Sequence, residues 1–245
     1  MAGHSKWANI KHRKGRQDSK RGKLFAKLIR AIEAAARNGG SDPAANATLA
    51  TAIQKARDAS VPKDTIDRAV ARGAGEIDGV DYEEVFYEGY APGGVALLVH
   101  VLTDNRNRAA ADVRAAFNKH NGSLGEPGSV SYLFEQKGYV LAEGDEDAVM
   151  LAAIEAGAED VRPADGMWEI ISEAGDVAAV RRALDAAGIS VEQAEVTQLP
   201  MTTVPVADEN ARKVLRLVDA LEDLEDVQEV FANFDIPDEV MAEAG

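Results

Sequence analysis

The fold is decided by residues 84–102, which read EVFYEGYAPGGVALLVHVL. The two halves of this stretch are rich in aromatic and β-branched residues, and the turn sequence Ala91-Pro92-Gly93-Gly94 separates them. We therefore predict two strands joined by a tight turn. Thr103-Asp104-Asn105 follows directly and predicts the N-terminal cap of a helix over residues 106–120. The stretch is thus typical of the start of an α/β domain.

Downstream of this unit, helices alternate with short strands in two similar rounds. Each round has a helix that ends at a glycine, Gly157 in the first and Gly188 in the second, followed by strand-like runs. This order, with no long crossover, is typical of a split βαβ, ferredoxin-like unit. Residues 130–141 precede the first round and predict a hairpin-like stretch turned at Lys137-Gly138.

The C-terminal tail has too few strands to form a domain alone. From Thr202 it predicts one strand, a helix over 208–221 and a last strand over 227–234. The unit of residues 82–122 is also incomplete, so we expect the two segments to complete each other around an insertion. The predicted class is α+β with three domains: a helical domain (1–80), a discontinuous α/β domain (81–129 and 201–245) and an inserted ferredoxin-like domain (130–200).

Upstream of residue 81, three amphipathic helices predict a small helical bundle. The first begins near Asp18 and ends at Asn38-Gly39-Gly40, with an apolar face opposite a cationic one. The second is predicted to start at Ser41-Asp42-Pro43, in the order of cap and then proline. Val61-Pro62 predicts the start of the third.

The charges of the chain are segregated along its length. Residues 1–80 hold 16 Lys and Arg against 8 Asp and Glu, a net charge of +8, whereas the remaining residues carry a net charge of −23. The formal net charge of −15 conceals this division. A surface that attracts polyanions at one end and repels them elsewhere indicates a nucleic-acid ligand.

The basic N-terminal segment, residues 3–16, is the sharpest candidate site. It reads GHSKWANIKHRKGR, a dense cationic run with one tryptophan inside it. Cationic groups neutralise phosphates and release counterions, while an indole stacks on an unpaired base or a ribose. With the cationic face of the first helix, this segment predicts the following nucleic-acid-binding residues: His4, Lys6, Trp7, Lys11, His12, Arg13, Lys14, Arg16, Lys20, Lys23, Lys27 and Arg30.

Two interpretations of Trp7 stand side by side at this point. The indole either stacks on a base, or it pins the segment onto the helical bundle together with Ile10 and touches no ligand. The cationic face also has a plainer interpretation, as a solvated helix surface. Such surfaces usually mix charges of both signs, and this one does not, so we favour phosphate binding.

A second candidate for an anion or partner site is the junction Thr103–Arg108. Helix N-terminal amides bind anions, and Asn105, Arg106 and Arg108 add polar and cationic groups there. The alternative is an ordinary cap with exposed arginines, which we favour slightly. The acidic cluster Glu222–Asp226 is interpreted as a charged turn, or as a device that excludes nucleic acid from the wrong face.

Catalysis finds no support in the sequence. The four histidines lie at positions 4, 12, 100 and 120 without metal-ligand spacing, and no nucleophile elbow or P-loop is present. His100 lies in an apolar strand and is interpreted as a packed or edge residue. The chain has no cysteine, which excludes disulfides and thiolate sites. We expect no catalytic residue, cofactor, metal or membrane segment, and a soluble cytoplasmic protein.

Four motifs together resemble the YebC/PmpR family. They are MAGHSKW with Ile10-Lys11, EGYAPGG at 88–94, TDNRNR at 103–108 and LEDLEDV at 221–227, and they span the chain almost from end to end. The resemblance implies the same three-domain arrangement. It also implies a DNA-binding transcriptional regulator, since bacterial members are described so. Other members, including the mitochondrial translational activator of cytochrome c oxidase, are ribosome-associated factors that help synthesis through proline-rich stretches. The resemblance supplies no catalytic residues.

We therefore expect a non-enzymatic regulator of gene expression, with DNA binding as the leading hypothesis. The alternative is an rRNA-binding translation factor that relieves stalling at proline-rich sequences on the ribosome. It gains weight because no short helix-turn-helix with a recognition helix is evident, and three helices with a basic face dock equally well on folded RNA. A third hypothesis is a protein-interaction module that works through the acidic domains.

Overall fold

The computed structural model describes residues 18–164, 166–206, 208–237 and 240. The chain forms two compact units, one of residues 134–201 and the other of the segments that flank it. The predicted α+β class is confirmed, with N-terminal helices, a discontinuous α/β domain and an inserted ferredoxin-like domain. Within the described ranges, no helix has the length and apolar character needed to cross a membrane.

The helices and strands follow one another in an order that separates these parts. In chain order they are α1 (Asp18–Gly39), α2 (Ala47–Asp58), α3 (Lys63–Gly73), β1 (Glu83–Ala91), β2 (Val95–Thr103), α4 (Arg106–Lys119), β3 (Ser123–Leu124), β4 (Phe134–Glu143), α5 (Glu146–Glu155), β5 (Ala158–Ala164), β6 (Met167–Glu173), α6 (Val177–Ala186), β7 (Ser190–Pro200), β8 (Val204–Pro205), α7 (Asp208–Glu222), β9 (Val227–Ala232) and β10 (Phe234–Asp235).

The helical domain packs α1, α2 and α3 around a small apolar core that includes Ile32, Leu49 and Ile66. Helix α3 approaches α1 closely at Gly73, where an added Cβ would lie 2.6 Å from the Cβ of Ala36. Only glycine therefore permits this contact. The domain keeps its core compact by bringing two helices together at a residue without a side chain.

The start of α2 differs from the prediction, since the helix begins at Ala47 rather than at Ser41-Asp42-Pro43. The cap is Asn46, whose Oδ1 accepts from the amide of Leu49 at 3.0 Å. Its Nδ2 donates to the carbonyls of Ala35 and Gly40 at 2.9 and 2.8 Å. One buried side chain thus starts α2 and satisfies carbonyls at the end of α1, which Asp42 does not do.

The α/β domain is a four-stranded antiparallel sheet in the order β3-β1-β2-β9. Strand β9 comes from the C-terminal tail and pairs with β2, so that Leu98 lies opposite Phe231. Helices α4 and α7 contribute Phe117 and Leu215 to the apolar core of this domain. The two segments of the chain therefore share one sheet and one core.

Glu88 on β1 accepts hydrogen bonds from residues 128–131, the segment that follows β3. Its carboxylate is 7% exposed and accepts from the amides of Gly128, Val130 and Ser131 at 2.6–2.8 Å. Burial acts to raise the pKa of Glu88, but the three amide hydrogen bonds outweigh it and lower the pKa below its usual value. The carboxylate therefore stays ionised and fixes residues 128–131 on β1.

Residues 134–201 form a ferredoxin-like unit with the sheet order β5-β6-β4-β7 and helices α5 and α6. The turn predicted at Lys137-Gly138 is wrong, because both residues lie within the continuous strand β4. An added Cβ at Gly138 would lie 2.9 Å from the carbonyl oxygen of Glu173. This glycine therefore serves a close approach between strands rather than a reversal of the chain.

Candidate nucleic-acid interface

The predicted nucleic-acid-binding residues divide into three groups in the structure. Lys23, Lys27 and Arg30 lie on α1 with described side chains. Lys20 lies on α1 as well, but its side chain is outside the described part. The remaining eight lie outside the described residues: His4, Lys6, Trp7, Lys11, His12, Arg13, Lys14 and Arg16.

The three described cations share one face of α1, because positions 23, 27 and 30 are one turn apart. This face lies against residues 222–226, which we call the acidic turn, at the C-terminal end of α7. Lys23 Nζ is 3.1 Å from Oδ1 of Asp223. Lys27 Nζ donates to the carbonyl of Glu222 at 2.8 Å. The helical wheel thus identified a cationic face, and the structure shows that this face contacts the acidic turn, although Lys23 stays exposed.

Arg30 is the most deeply placed of the three cations, and is only 7% exposed. Its guanidinium donates to the carbonyl of Glu225 at 2.5 Å and to the Oε1 of the same residue at 3.2 Å. It also lies 3.4 Å from Oδ1 of Asp226 and 5.4 Å from the ring centroid of Tyr82. Arg30 is therefore enclosed by two carboxylates and an aromatic ring, which leaves it little access to a phosphate.

Asp226 is the buried carboxylate of the acidic turn, and it is 6% exposed. Its Oδ2 accepts from the hydroxyl of Thr103 and from Nη2 of Arg108, both at 2.9 Å. Its backbone carbonyl accepts from the amide of Leu102 at 2.9 Å. The buried carboxylate therefore joins the end of β2, the start of α4 and, through Arg30, helix α1.

The second candidate site has a similar geometry. Asn105 caps α4 by accepting from the amide of Arg108 at 3.1 Å. The guanidinium of Arg108 pairs with Asp226 and, at 2.6 Å, with Asp104. These hydrogen bonds raise the pKa of Arg108 and lower the pKa of Asp104. Arg106 is exposed. The geometry favours the interpretation of Asn105 as an ordinary cap.

The other cations of the helical domain are interspersed with acids. Arg72 pairs with Glu33 at 2.6 Å, and Lys55 pairs with Glu229 at 3.3 Å. The exposed charges of α2 and α3 are of mixed sign, in the order Arg57, Asp58, Lys63, Asp64, Asp67 and Arg68. Over the described ranges, neither helix therefore presents a face of cations alone.

His100 lies on β2, where its Nε2 is 2.8 Å from Oε1 of Glu84. The imidazole stacks on Phe86, with ring centroids 4.8 Å apart and an interplanar angle of 13°. The hydrogen bond with His100 lowers the pKa of Glu84. A stacked and paired imidazole of this kind matches a packed residue better than a proton carrier.

The acidic turn is the partner that sequence reasoning missed. A signal for it was present, because carboxylates at a helix C-terminus oppose the negative end of the helix dipole. Glu222, Asp223, Glu225 and Asp226 concentrate there. Such a cluster is stabilised by cations from another part of the chain. Lys23, Lys27 and Arg30 share one face of α1 and are spaced to supply these cations.

Comparison with known protein families identifies two adjoining domains. A domain described as "TACO1/YebC protein N-terminal domain" matches residues 5–76. A second, described as "TACO1/YebC second and third domain", matches residues 82–234. Together the two matches cover most of the chain.

Similar proteins match over almost their full length. A "Probable transcriptional regulatory protein" of Beutenbergia cavernae is 59% identical over 248 aligned residues, which cover 99% of this chain and 98% of the relative. A protein of the same name from Salinispora tropica is 57% identical and is matched over 100% of both chains.

A solved structure also matches. The crystal structure of a conserved hypothetical protein from Aquifex aeolicus has a TM-score of 0.83 and 48% identity, and the match covers 90% of this chain and 93% of that one. The similarity extends across both compact units.

Proposed function

The chain belongs to the TACO1/YebC family, and from this premise we propose that it is a non-enzymatic regulator of gene expression that binds nucleic acid. Its relatives are named probable transcriptional regulatory proteins, so DNA is the leading ligand. The basic segment 3–16 and the N-terminal part of α1 make the contacts.

The observation that carries the proposal is the segregation of charge. Residues 1–80 carry a net charge of +8, whereas the rest of the chain carries a net charge of −23. Because phosphate contacts supply most of the affinity of non-specific binding, a polyanion is drawn to the first region and repelled by the second. Residues 3–16 hold five of the 16 Lys and Arg of this region and no acidic residue.

The experiment uses the full chain, a duplex DNA and an RNA hairpin with an unpaired loop. In the variant, Lys11, Arg13 and Lys14 are replaced by Gln. The salt dependence of the affinity should become shallower by about 3 in log–log slope, since each phosphate contact contributes about 0.9. The matched control replaces Arg114, Lys119 and Arg216 by Gln, which removes the same charge from the α/β domain and should leave the slope nearly unchanged.

Two outcomes would contradict the proposal. The control variant would weaken binding as strongly as the test variant if only the overall charge mattered. A wild-type slope near zero would mean that phosphates are not contacted, and it would favour the hypothesis of a protein-interaction module acting through the acidic domains.

An rRNA-binding translation factor remains the second candidate, and one observation favours it. Duplex DNA is usually read by a helix that offers an open cationic or polar face to the major groove. In the described part of the helical domain, the cationic face of α1 contacts the acidic turn, and α2 and α3 expose charges of mixed sign. Binding through the segment 3–16 suits folded RNA at least as well.

Trp7 separates the two ligands. If the indole stacks on an unpaired base, Trp7→Ala should cost about 1 to 3 kcal/mol in RNA-hairpin binding and much less in duplex binding. The measurement is a titration of both probes beside a thermal unfolding curve. A lowered melting temperature with equal loss of both ligands would instead make Trp7 a structural anchor of the N-terminal segment.

A further inference from the structure

The contact between α1 and the acidic turn has the composition of a nucleic-acid contact. Three cations one helical turn apart donate hydrogen bonds to carbonyl and carboxylate oxygens. The same groups donate to phosphate oxygens when a protein binds nucleic acid. The oxygens come from a short run, residues 222–226, so they follow one another along the chain as phosphates do along a strand. The turn therefore occupies the place that a polyanion would take on α1.

Two of the acceptors in this contact are backbone carbonyls at the C-terminal end of α7. The carbonyls of Glu222 and Asp223 accept from Lys27 at 2.8 Å and from Lys23 at 3.4 Å. Carbonyls at a helix C-terminus carry the negative end of the helix dipole, which adds to the carboxylate charges. The cations of α1 thus satisfy groups that the helix itself leaves without partners.

The contact has a fixed part and an exchangeable part. Asp226 and Arg30 are buried, and Asp226 is held independently by Thr103 and Arg108. The pair Lys23–Asp223 is open to solvent, with side-chain exposures of 59% and 69%. Glu225 is 84% exposed although its partner Arg30 is not. Phosphates in solution can therefore compete for the outer cations without first breaking the buried pair.

We propose that the acidic turn is an autoinhibitory contact that competes with nucleic acid for the cationic face of α1. The inference rests on the proposed function, since it assigns α1 to the nucleic-acid contact. Lys23 and Lys27 contact nucleic acid only when phosphates displace the turn. Affinity and salt dependence are thereby set below the values that the sequence charge predicts.

The test neutralises the exposed carboxylates of the turn in the full chain. Asp223→Asn with Glu225→Gln leaves Asp226 in place and should raise the affinity for the duplex or RNA-hairpin probe roughly 3- to 10-fold at low salt, because it releases the exposed Lys23 and removes two exposed carboxylates that repel phosphate. The log–log salt slope should also steepen by about 1 to 2. The control is Asp112→Asn with Glu126→Gln, which removes two exposed carboxylates from the same domain and should change the affinity less than about twofold.

A second measurement needs no nucleic acid. Acylation of Lys23 by an amine-reactive reagent, followed by mass spectrometry, should be faster in the Asp223→Asn, Glu225→Gln variant than in the wild type or the control, because Asp223 is the carboxylate that pairs with Lys23. Faster acylation with unchanged affinity would show a contact that does not oppose binding, and it would overturn the inference. Equal acylation in all three proteins would overturn it as well.

The failure of this inference is distinct from the failure of the proposed function. If wild type and variant bind both probes with equal affinity, the turn does not inhibit and the proposed function stands. If neither protein binds either probe at low salt, the proposed function fails, and no competition remains for the turn to exert. Thermal unfolding of each variant confirms that the proteins compared are folded.

Discussion

The two compact units neutralise internal charge in opposite ways. In the unit that contains the helical and α/β domains, one buried carboxylate, Asp226, gathers Thr103, Arg108 and Arg30 around it. In the ferredoxin-like unit, one cation, Lys137, lies 2.5, 3.0 and 3.4 Å from Glu173, Glu159 and Glu135. The first is an anion among cations, and the second is a cation among anions.

The difference follows from where each group lies. Asp226 is 6% exposed, so water screens its interactions little, and its loss would leave Arg30 with a weaker, exposed partner. The glutamates around Lys137 are 42–61% exposed, so solvent screens them. Residues 134–201 carry a net charge of −11. The first arrangement joins distant segments of the chain, and the second moderates repulsion on one sheet.

The largest effect is expected at Asp226. Asp226→Asn removes the charge that balances Arg30 and should lower the free energy of unfolding by about 3 kcal/mol. Denaturant unfolding of the full chain measures this loss. The matched control is Asp223→Asn, whose partner Lys23 is exposed, and its effect should stay within about 1 kcal/mol. Equal effects for the two variants would mean that burial does not distinguish the two pairs.

A smaller effect is expected at Lys137. Lys137→Gln leaves three glutamates close together at neutral pH, so it should destabilise the protein less than Asp226→Asn does. Hydrogen bonds from Lys137 lower the pKa of Glu173 below its usual value of 4.5. A carboxyl with a lowered pKa stabilises the fold above that value, and the contribution is lost as the pH falls through the folded-state pKa.

The pH and salt dependence of Lys137→Gln therefore test the comparison. The difference from wild type should shrink as the pH falls below about 4.5, and it should also shrink at high salt. Asp226→Asn should keep most of its effect in high salt, because Asp226 and its partner Arg30 are both buried. If salt abolished both effects alike, the contrast between the two units would be lost.

Local signals predicted most of the fold. Glycines and caps marked the ends of α1, α4, α5 and α6, and the change from helical to alternating periodicity marked β1 and β2. The prediction that the C-terminal tail completes the first sheet followed from counting strands. The errors came where a residue has a tertiary role: Asn46 caps α2 while bonded to the end of α1, and Gly138 lies in a strand because β6 approaches it closely.

The candidate interface was predicted only in part. The cationic face of α1 followed from residue spacing, because helical periodicity is a local property. Its contact with the acidic turn did not, since Lys23 and Asp223 are 200 residues apart in the chain. A helical wheel shows which side chains share a face, but it does not show what lies opposite that face.

The sequence by itself determined the class of the fold, the division of charge between the first 80 residues and the rest, and the family to which the chain belongs. These depend on composition, periodicity and motifs, which are read along the chain. Only the tertiary structure decided that Arg30 and Arg108 share Asp226 and that the acidic turn contacts Lys23, Lys27 and Arg30. The physical reason is that a charge acts through space, so its partner is set by the packing of segments that the sequence holds far apart.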